Sequence, residues 1–199
     1  MGIKKQKPTN KSIKIVSGML AASLFAMPVL LLNGAPTSAA SQSATTTVNV
    51  TIDPVISITA SPNIEMDITP TVSGQFRTAN GNVVISTNNV KGYTTYITSS
   101  TTETNLKQPA AAGVSAVIPT VSASGTTISG NGWGWSNDAS QFNPVKATGT
   151  TDNSAVFSRT TSATPTGDNK TLTIGASATT SVPSGTYSNT LLLTAVTNN

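Results

Sequence analysis

The sequence predicts an all-β fold: an antiparallel β-sandwich that follows an N-terminal signal helix. Three observations carry that expectation. Past residue 40 the apolar residues alternate with polar ones, and no helical period outlasts two turns. Thr, Ser and Asn fill about two-fifths of the same region. Thr is β-branched, so it suits a strand, and its hydroxyl wets the solvent face without adding charge. Charged residues make up 9% of the 199-residue chain, against about 25% in an ordinary soluble domain. Disordered chains lack aliphatic alternation and are usually charged, so the pattern speaks for a folded β chain.

The first element is a targeting segment. Lys4, Lys5, Lys7, Lys11 and Lys14 precede an apolar run from Ile15 to Leu32, broken only by Ser17, Gly18, Ser23 and Pro28. Asn33, Gly34, Pro36 and the small residues Thr37 to Ser41 follow. A basic head, an apolar middle and a small-residue exit make a secretory signal peptide over residues 1–40. A second reading keeps the segment as an uncleaved anchor, because such a run is near the lower limit for spanning a bilayer and the lysines would stay cytoplasmic. Pro28 and the small residues after Asn33 favour cleavage. Residues 41–199 then form one β-sandwich domain, and the membrane is touched only through the N-terminal segment. At the other end, Thr197-Asn198-Asn199 carries no LPxTG sorting signal.

Cleavage reverses the charge. The whole chain is formally +4, but from Ser41 onward six basic residues meet seven acidic ones, a balance of −1. The mature chain has no basic patch, so nucleic acid is not an expected partner.

The strands are expected in this order. Thr47 to Ile52 alternates polar and apolar, with Val48, Val50 and Ile52 on one face of a candidate assembly strand. Such a strand pairs within its own sheet, the usual fate of an N-terminal strand, or adds to a neighbour's open edge. Val55 to Ile58 continues after Asp53-Pro54. Val83 to Ile85 follows Asn80-Gly81, a dipeptide that predicts a hairpin turn. Gly92 to Thr98 is rich in β-branched and aromatic residues. Ser99–Ala112 and Ala147–Lys170 are polar enough to be long loops. Leu172, Ile174, Ala176 and Ala178 alternate with polar or small residues. Pro183-Ser184-Gly185 turns the chain into a last strand, Thr186 to Thr197. Its triple run Leu191-Leu192-Leu193 puts aliphatic side chains on both faces, so this strand is either central or awaits a partner.

Few residues offer chemistry. The chain has no Cys and no His, which removes disulfides, thiolate chemistry, Ser-His-Asp triads and most zinc sites. Trp133 and Trp135 are the only tryptophans, and as strand residues two apart they face the same side. They either cap the core, with Gly132 and Gly134 making room, or stack on a sugar ring. Tyr93, Tyr96 and Tyr187 read as core-edge residues. Glu65 and Asp67 share one strand face, which reads as solvated rather than as a calcium or glycosidase pair. Asp138, Asp152 and Asp168 sit beside Asn or Gly, where Asp makes turns. No catalytic residue, metal or cofactor is expected.

Val182-Pro183-Ser184-Gly185-Thr186-Tyr187, with the alternating strand that runs on to Val196, resembles the closing hairpin of bacterial surface β-sandwiches. The families it resembles are the WxL-type cell-wall-binding proteins and the coat-protein-U or fimbrial-type subunits. Val84 to Thr94, followed later by Trp133-Gly134-Trp135, is similar to the arrangement in WxL-like surface proteins. The resemblance implies an Ig-like or pilin-like sandwich at a bacterial surface. No ligand transfers with it: Leu193 and Ala195 stand where a WxL domain has Trp and Leu, and the cysteines usual in the coat-protein-U type are missing. The expected function is therefore that of a non-catalytic, secreted or cell-surface structural or adhesive protein. The alternative is a carbohydrate-binding module that uses Trp133 and Trp135. Cell-wall glycan, other surface proteins or further copies of the chain are the expected partners.

The small-residue exit gives the first prediction. Sequencing the secreted form from its N-terminus is expected to begin at Ala40 or Ser41; a start at Met1 or Gly2 would make the apolar run an anchor.

Overall fold

The computed structural model describes residues 40–108, 116–150, 155–163 and 166–199. The expected signal helix lies outside them. The chain divides into a unit that ends at Val48 and a unit from Asn49 to Asn199. Residues 40–48 carry no regular structure and are exposed. Every strand among the described residues belongs to the second unit.

That unit is all-β, and among the described residues there is no helix. The described residues form nine strands in chain order: β1 Ile56–Ala60, β2 Gln75–Thr87, β3 Tyr93–Ser99, β4 Leu106–Lys107, β5 Val117–Ile118, β6 Gly132–Ser136, β7 Ala155–Arg159, β8 Asp168–Ala178 and β9 Leu191–Thr197. They form a four-stranded sheet in the order β1-β2-β8-β6, a three-stranded sheet β7-β3-β9 and a small pair β4-β5. Each of these strand pairings is antiparallel. One apolar cluster takes side chains from both larger sheets: Val83 and Ile85 of β2, Leu172 and Ile174 of β8, Tyr93 and Ile97 of β3.

β8 is the strand around which the larger sheet is organised. It lies between β2 and β6, and its last seven residues are all buried. Burial of both faces requires different side chains on each. Leu172, Ile174 and Ala176 share a face with the tryptophans, because Trp133 is registered with Ala176 and Trp135 with Ile174. The opposite face carries Gly175, and there Phe142 and Phe76 meet edge to face with ring centroids 5.2 Å apart. A methyl group on Gly175 would lie 2.5 Å from Phe142 Cε1 and 3.0 Å from Phe76 Cε2. Gly175 is therefore a packing glycine, small because two rings lie on it.

Several expectations need correction. Asn80-Gly81 makes no hairpin: both residues lie inside β2, a single strand of 13 residues. Gly81 is bare because the Ile64 side chain sits where its Cβ would be, and Asn80 Oδ1 accepts a hydrogen bond from Thr173 Oγ1 at 2.9 Å. The chain leaves the four-stranded sheet later, at Asn89–Gly92. There Gly92 takes φ +77° and its N–H donates to Asn89 O at 2.9 Å. The two expected loops contain β4, β7 and the start of β8. The last strand begins at Leu191 rather than Thr186. Thr47 to Ile52 pairs with no described strand.

Gly175→Ala is expected to cost about 1–3 kcal/mol, the range for overpacking a filled core. Gly125→Ala, whose added methyl would meet only Thr127 O at an ordinary 3.4 Å, is the control, expected within about 0.5 kcal/mol of the parent. Urea midpoints of the two variants decide; equal midpoints would sink the packing argument.

Candidate functional site

The Trp pair sits in the interior. Both residues are 2% exposed. Trp133 Nε1 donates to Thr104 O at 3.0 Å and Trp135 Nε1 to Pro144 O at 3.1 Å, so each indole N–H finds the partner that burial demands. A ring this covered has no face to lay against a sugar. The tryptophans fill the core and tie residues 104 and 144 down over β6.

The carboxylates of Glu65 and Asp67 point to solvent, while Ile64, Met66 and Ile68 between and beside them are half-buried against the core. Among the described residues no group of three or more His, Cys, Asp or Glu side chains lies close enough to hold a metal ion. Tyr96 and Tyr187 are half-buried, but Tyr93 is fully buried rather than at the core edge.

Tyr93 belongs to a polar cluster that the local sequence did not disclose. Its hydroxyl donates to Asp168 Oδ2 at 3.0 Å, and Arg159 Nη1 donates to Asp168 Oδ1 at 2.5 Å. Asp168 is 7% exposed and opens β8, whereas Tyr93 and Arg159 belong to the other sheet. One carboxylate thus bridges the two sheets. Burial pushes the Asp168 carboxyl up, but hydrogen bonds from Arg159 and Tyr93, with the charges of Arg159 and Lys170, outweigh it and hold the group below its ordinary range. Burial first, then the hydrogen bond to Asp168 and its negative charge, push the Tyr93 phenol up to about 12.

Two features stand out on the described surface. One is a shallow cleft of ≈ 370 Å³ on β3 and β9, where Tyr96, Thr98, Leu192 and Thr194 lie beside the turn at Gly149. The other is an apolar arm and a bare strand edge. Val48, Val50 and Ile52 are 79–80% exposed, as an extended run of small aliphatics with no cover. The arm is fixed where it meets β1. Val55 N–H donates to Asn88 Oδ1 at 2.7 Å, Asn88 Nδ2 to Asp53 O at 3.1 Å, and Thr87 Oγ1 to Val55 O at 2.6 Å.

The open edge belongs to β9, which is hydrogen-bonded to β3 on one side and to no strand on the other among the described residues, although β1 packs close beside it. Asparagines clamp both of its ends. Asn189 Nδ2 donates to Glu103 O at 3.0 Å and Asn105 O at 2.9 Å. Asn198 Nδ2 donates to Lys91 O and Arg159 O, each at 2.8 Å, and Asn89 Nδ2 donates to Asn198 O at 2.7 Å.

Neither a protein-family model, nor a curated protein, nor a solved structure matches the chain.

The inter-sheet carboxylate generates a pH prediction. A depressed carboxyl pKa means the folded chain holds that proton less tightly than the unfolded one. The stabilisation is then complete above about pH 4 and lost as pH falls through the depressed value. Tyr93 has the opposite sign: its contribution is complete below about pH 10 and lost as pH rises towards 12. Tyr93→Phe is expected to cost about 1–2 kcal/mol at neutral pH and to flatten the alkaline limb of stability. Asp168→Asn is expected to flatten the acid limb. Urea midpoints measured across pH check both, and limbs identical to the parent's would refute the assignment.

Proposed function

We propose that the chain is a non-catalytic structural or adhesive protein of a bacterium, secreted or held at the cell surface, and folded as an antiparallel β-sandwich of the Ig-like or pilin-like kind. The observation that carries this reading is the placement of the apolar residues. Both tryptophans are buried, while the aliphatics of an uncharged arm stand open to solvent. A chain this poor in large apolar side chains keeps them for its core, and an exposed alternating segment is a contact element rather than a core element. The apolar cluster shared by the two larger sheets supports the sandwich. The basic head, apolar run and small-residue exit of residues 1–40 support export.

The reading is tested on the producing cells and on the Trp pair together. Fractionation is expected to find the shortened chain in the envelope or the medium; full-length chain confined to the cytosol would overturn the reading. Trp133→Ala and Trp135→Ala are each expected to lose about 3–5 kcal/mol of stability. Variants that melt like the parent yet lose binding to a glycan array would restore the sugar-binding alternative.

A further inference from the structure

We infer that the arm around Val48, Val50 and Ile52 is an added strand for the open edge of β9 in a second copy of the same chain. The inference deepens the proposed function by naming a partner for its contact element.

The edge is unusually receptive. The bonds Asn198 N–H to Gly92 O and Ser100 N–H to Thr190 O, with the register Tyr93↔Thr197 to Ser99↔Leu191, show that the even-numbered residues of β9 bond to β3. The N–H and C=O groups of Leu191, Leu193, Ala195 and Thr197 therefore point away from β3. Natural edges are normally blunted by charge, proline or a bulge. From Leu191 to Thr197 β9 has no charged residue and no proline, and its register with β3 is unbroken. Its inner side chains Leu191, Leu193 and Ala195 pack against the core but are only half-buried, as are Ile56 and Ile58 of β1. The apolar cluster is thus incompletely covered along this rim.

The arm has the complementary chemistry. From Ser41 to Ile52 it contains no charge, no proline and no glycine, so nothing in it opposes a ladder. Its period of two offers Val48, Val50 and Ile52 on one face and Thr47, Asn49 and Thr51 on the other. Set against β9 with the aliphatic face inward, it would extend the row of Leu191, Leu193 and Ala195 over the rim and leave hydroxyl and amide groups in water. Backbone bonds supply affinity in such an addition, and alternate side chains supply register. One chain carries both an edge for one neighbour and an arm for another. The contact is heterologous, so it propagates into an open chain of subunits or closes into a ring.

The test uses the secreted protein and two proline variants. Val50→Pro disables the exposed arm. Ala195→Pro removes an outward N–H of an edge strand, the kind of strand position that tolerates proline. Sedimentation velocity of the parent is expected to show oligomers that grow with concentration, and each variant alone is expected to be monomeric. An equimolar mixture is expected to yield one-to-one dimers and nothing larger, because only one intact arm and one intact edge remain to meet. If Ala195→Pro fails to melt cooperatively, a peptide of residues 45–53 replaces it, with expected saturation at one peptide per Val50→Pro chain. A parent that stays monomeric, with slow amide exchange in its arm, would mean that the arm closes its own edge and would overturn the inference. Variants that oligomerise like the parent, a mixture that fails to combine, or a peptide that fails to bind would also overturn it. The readout is made on purified protein, so a negative result here leaves the surface reading to be decided by fractionation.

Discussion

A strand buried on both faces dictates most of this structure. β8 cannot expose a face, so every side chain on it from Leu172 to Ala178 must fit a covered space. On one side that space holds two indoles, and on the other two phenyl rings, which leave no room for a side chain where they lie on the strand. Ile174 and Ala176 fit under the tryptophans; Gly175 fits under Phe142 and Phe76. Gly134, registered with Gly175, is small for the same kind of reason, since Asn143 O would lie 2.5 Å from its Cβ. A chain with only 5% aromatic residues builds a core in this way by setting both of its tryptophans and two of its four phenylalanines around one strand, and the burial of both tryptophans follows from that constraint.

The second constraint is the scarcity of charge. Loops that other proteins fasten with ion pairs or disulfides are held here largely by side-chain amides and hydroxyls bonded to backbone, with the ion pair of Lys107 and Glu103 beside them. Asn88 and Thr87 fix the entry to β1, Asn89 and Asn198 the exit from β9, and Asn189 its start. Each such bond contributes roughly 0.5–1.5 kcal/mol net, so their number matters more than any one of them. The exception is Asp168, where a charge is taken into the interior. There the Arg159 and Tyr93 donors are required, because an unpartnered buried carboxylate would cost several kcal/mol or more. Here the two larger sheets are joined by a charged group rather than by apolar contact.

The sequence disclosed what periodicity discloses. Alternation marked β8, the β-branched and aromatic content of Gly92 to Thr98 marked β3, and the spacing of Trp133 and Trp135 placed both rings on one face. It could not say what lies above a residue. Asn80-Gly81 has the composition of a turn, yet its glycine answers to Ile64, which arrives from another part of the chain. Asp168 sits between Gly167 and Asn169 like any turn aspartate, and its burial is set by a tyrosine 75 residues away. β7 is hidden in a polar stretch because only Val156 and Phe157 of its five residues are buried. Thr47 to Ile52 shows the limit most clearly. Alternation tells that a segment can be a strand, but pairing depends on an available edge, and that is a property of topology.

The topology supplies such an edge at β9, and the clamps at its ends give it a particular character. A frayed or slipping edge pairs with anything that has the right spacing, because register is then weakly specified. Asn189 and Asn198 hold both ends of β9 against the backbone of neighbouring segments, so its outward groups are presented in fixed register over seven residues. The half-buried Leu191, Leu193 and Ala195 add a directional requirement, since a strand laid with its polar face inward would bury Thr and Asn groups without partners. Under the inferred strand addition, fixed register and a preferred face together would distinguish a specific contact from the indiscriminate pairing that unprotected edges invite. Lysine or proline would also suppress aggregation at this edge, but either would forbid every added strand. Their absence from Leu191 to Thr197, in a chain that carries an arm of matching period, is the economy expected where strand addition is wanted.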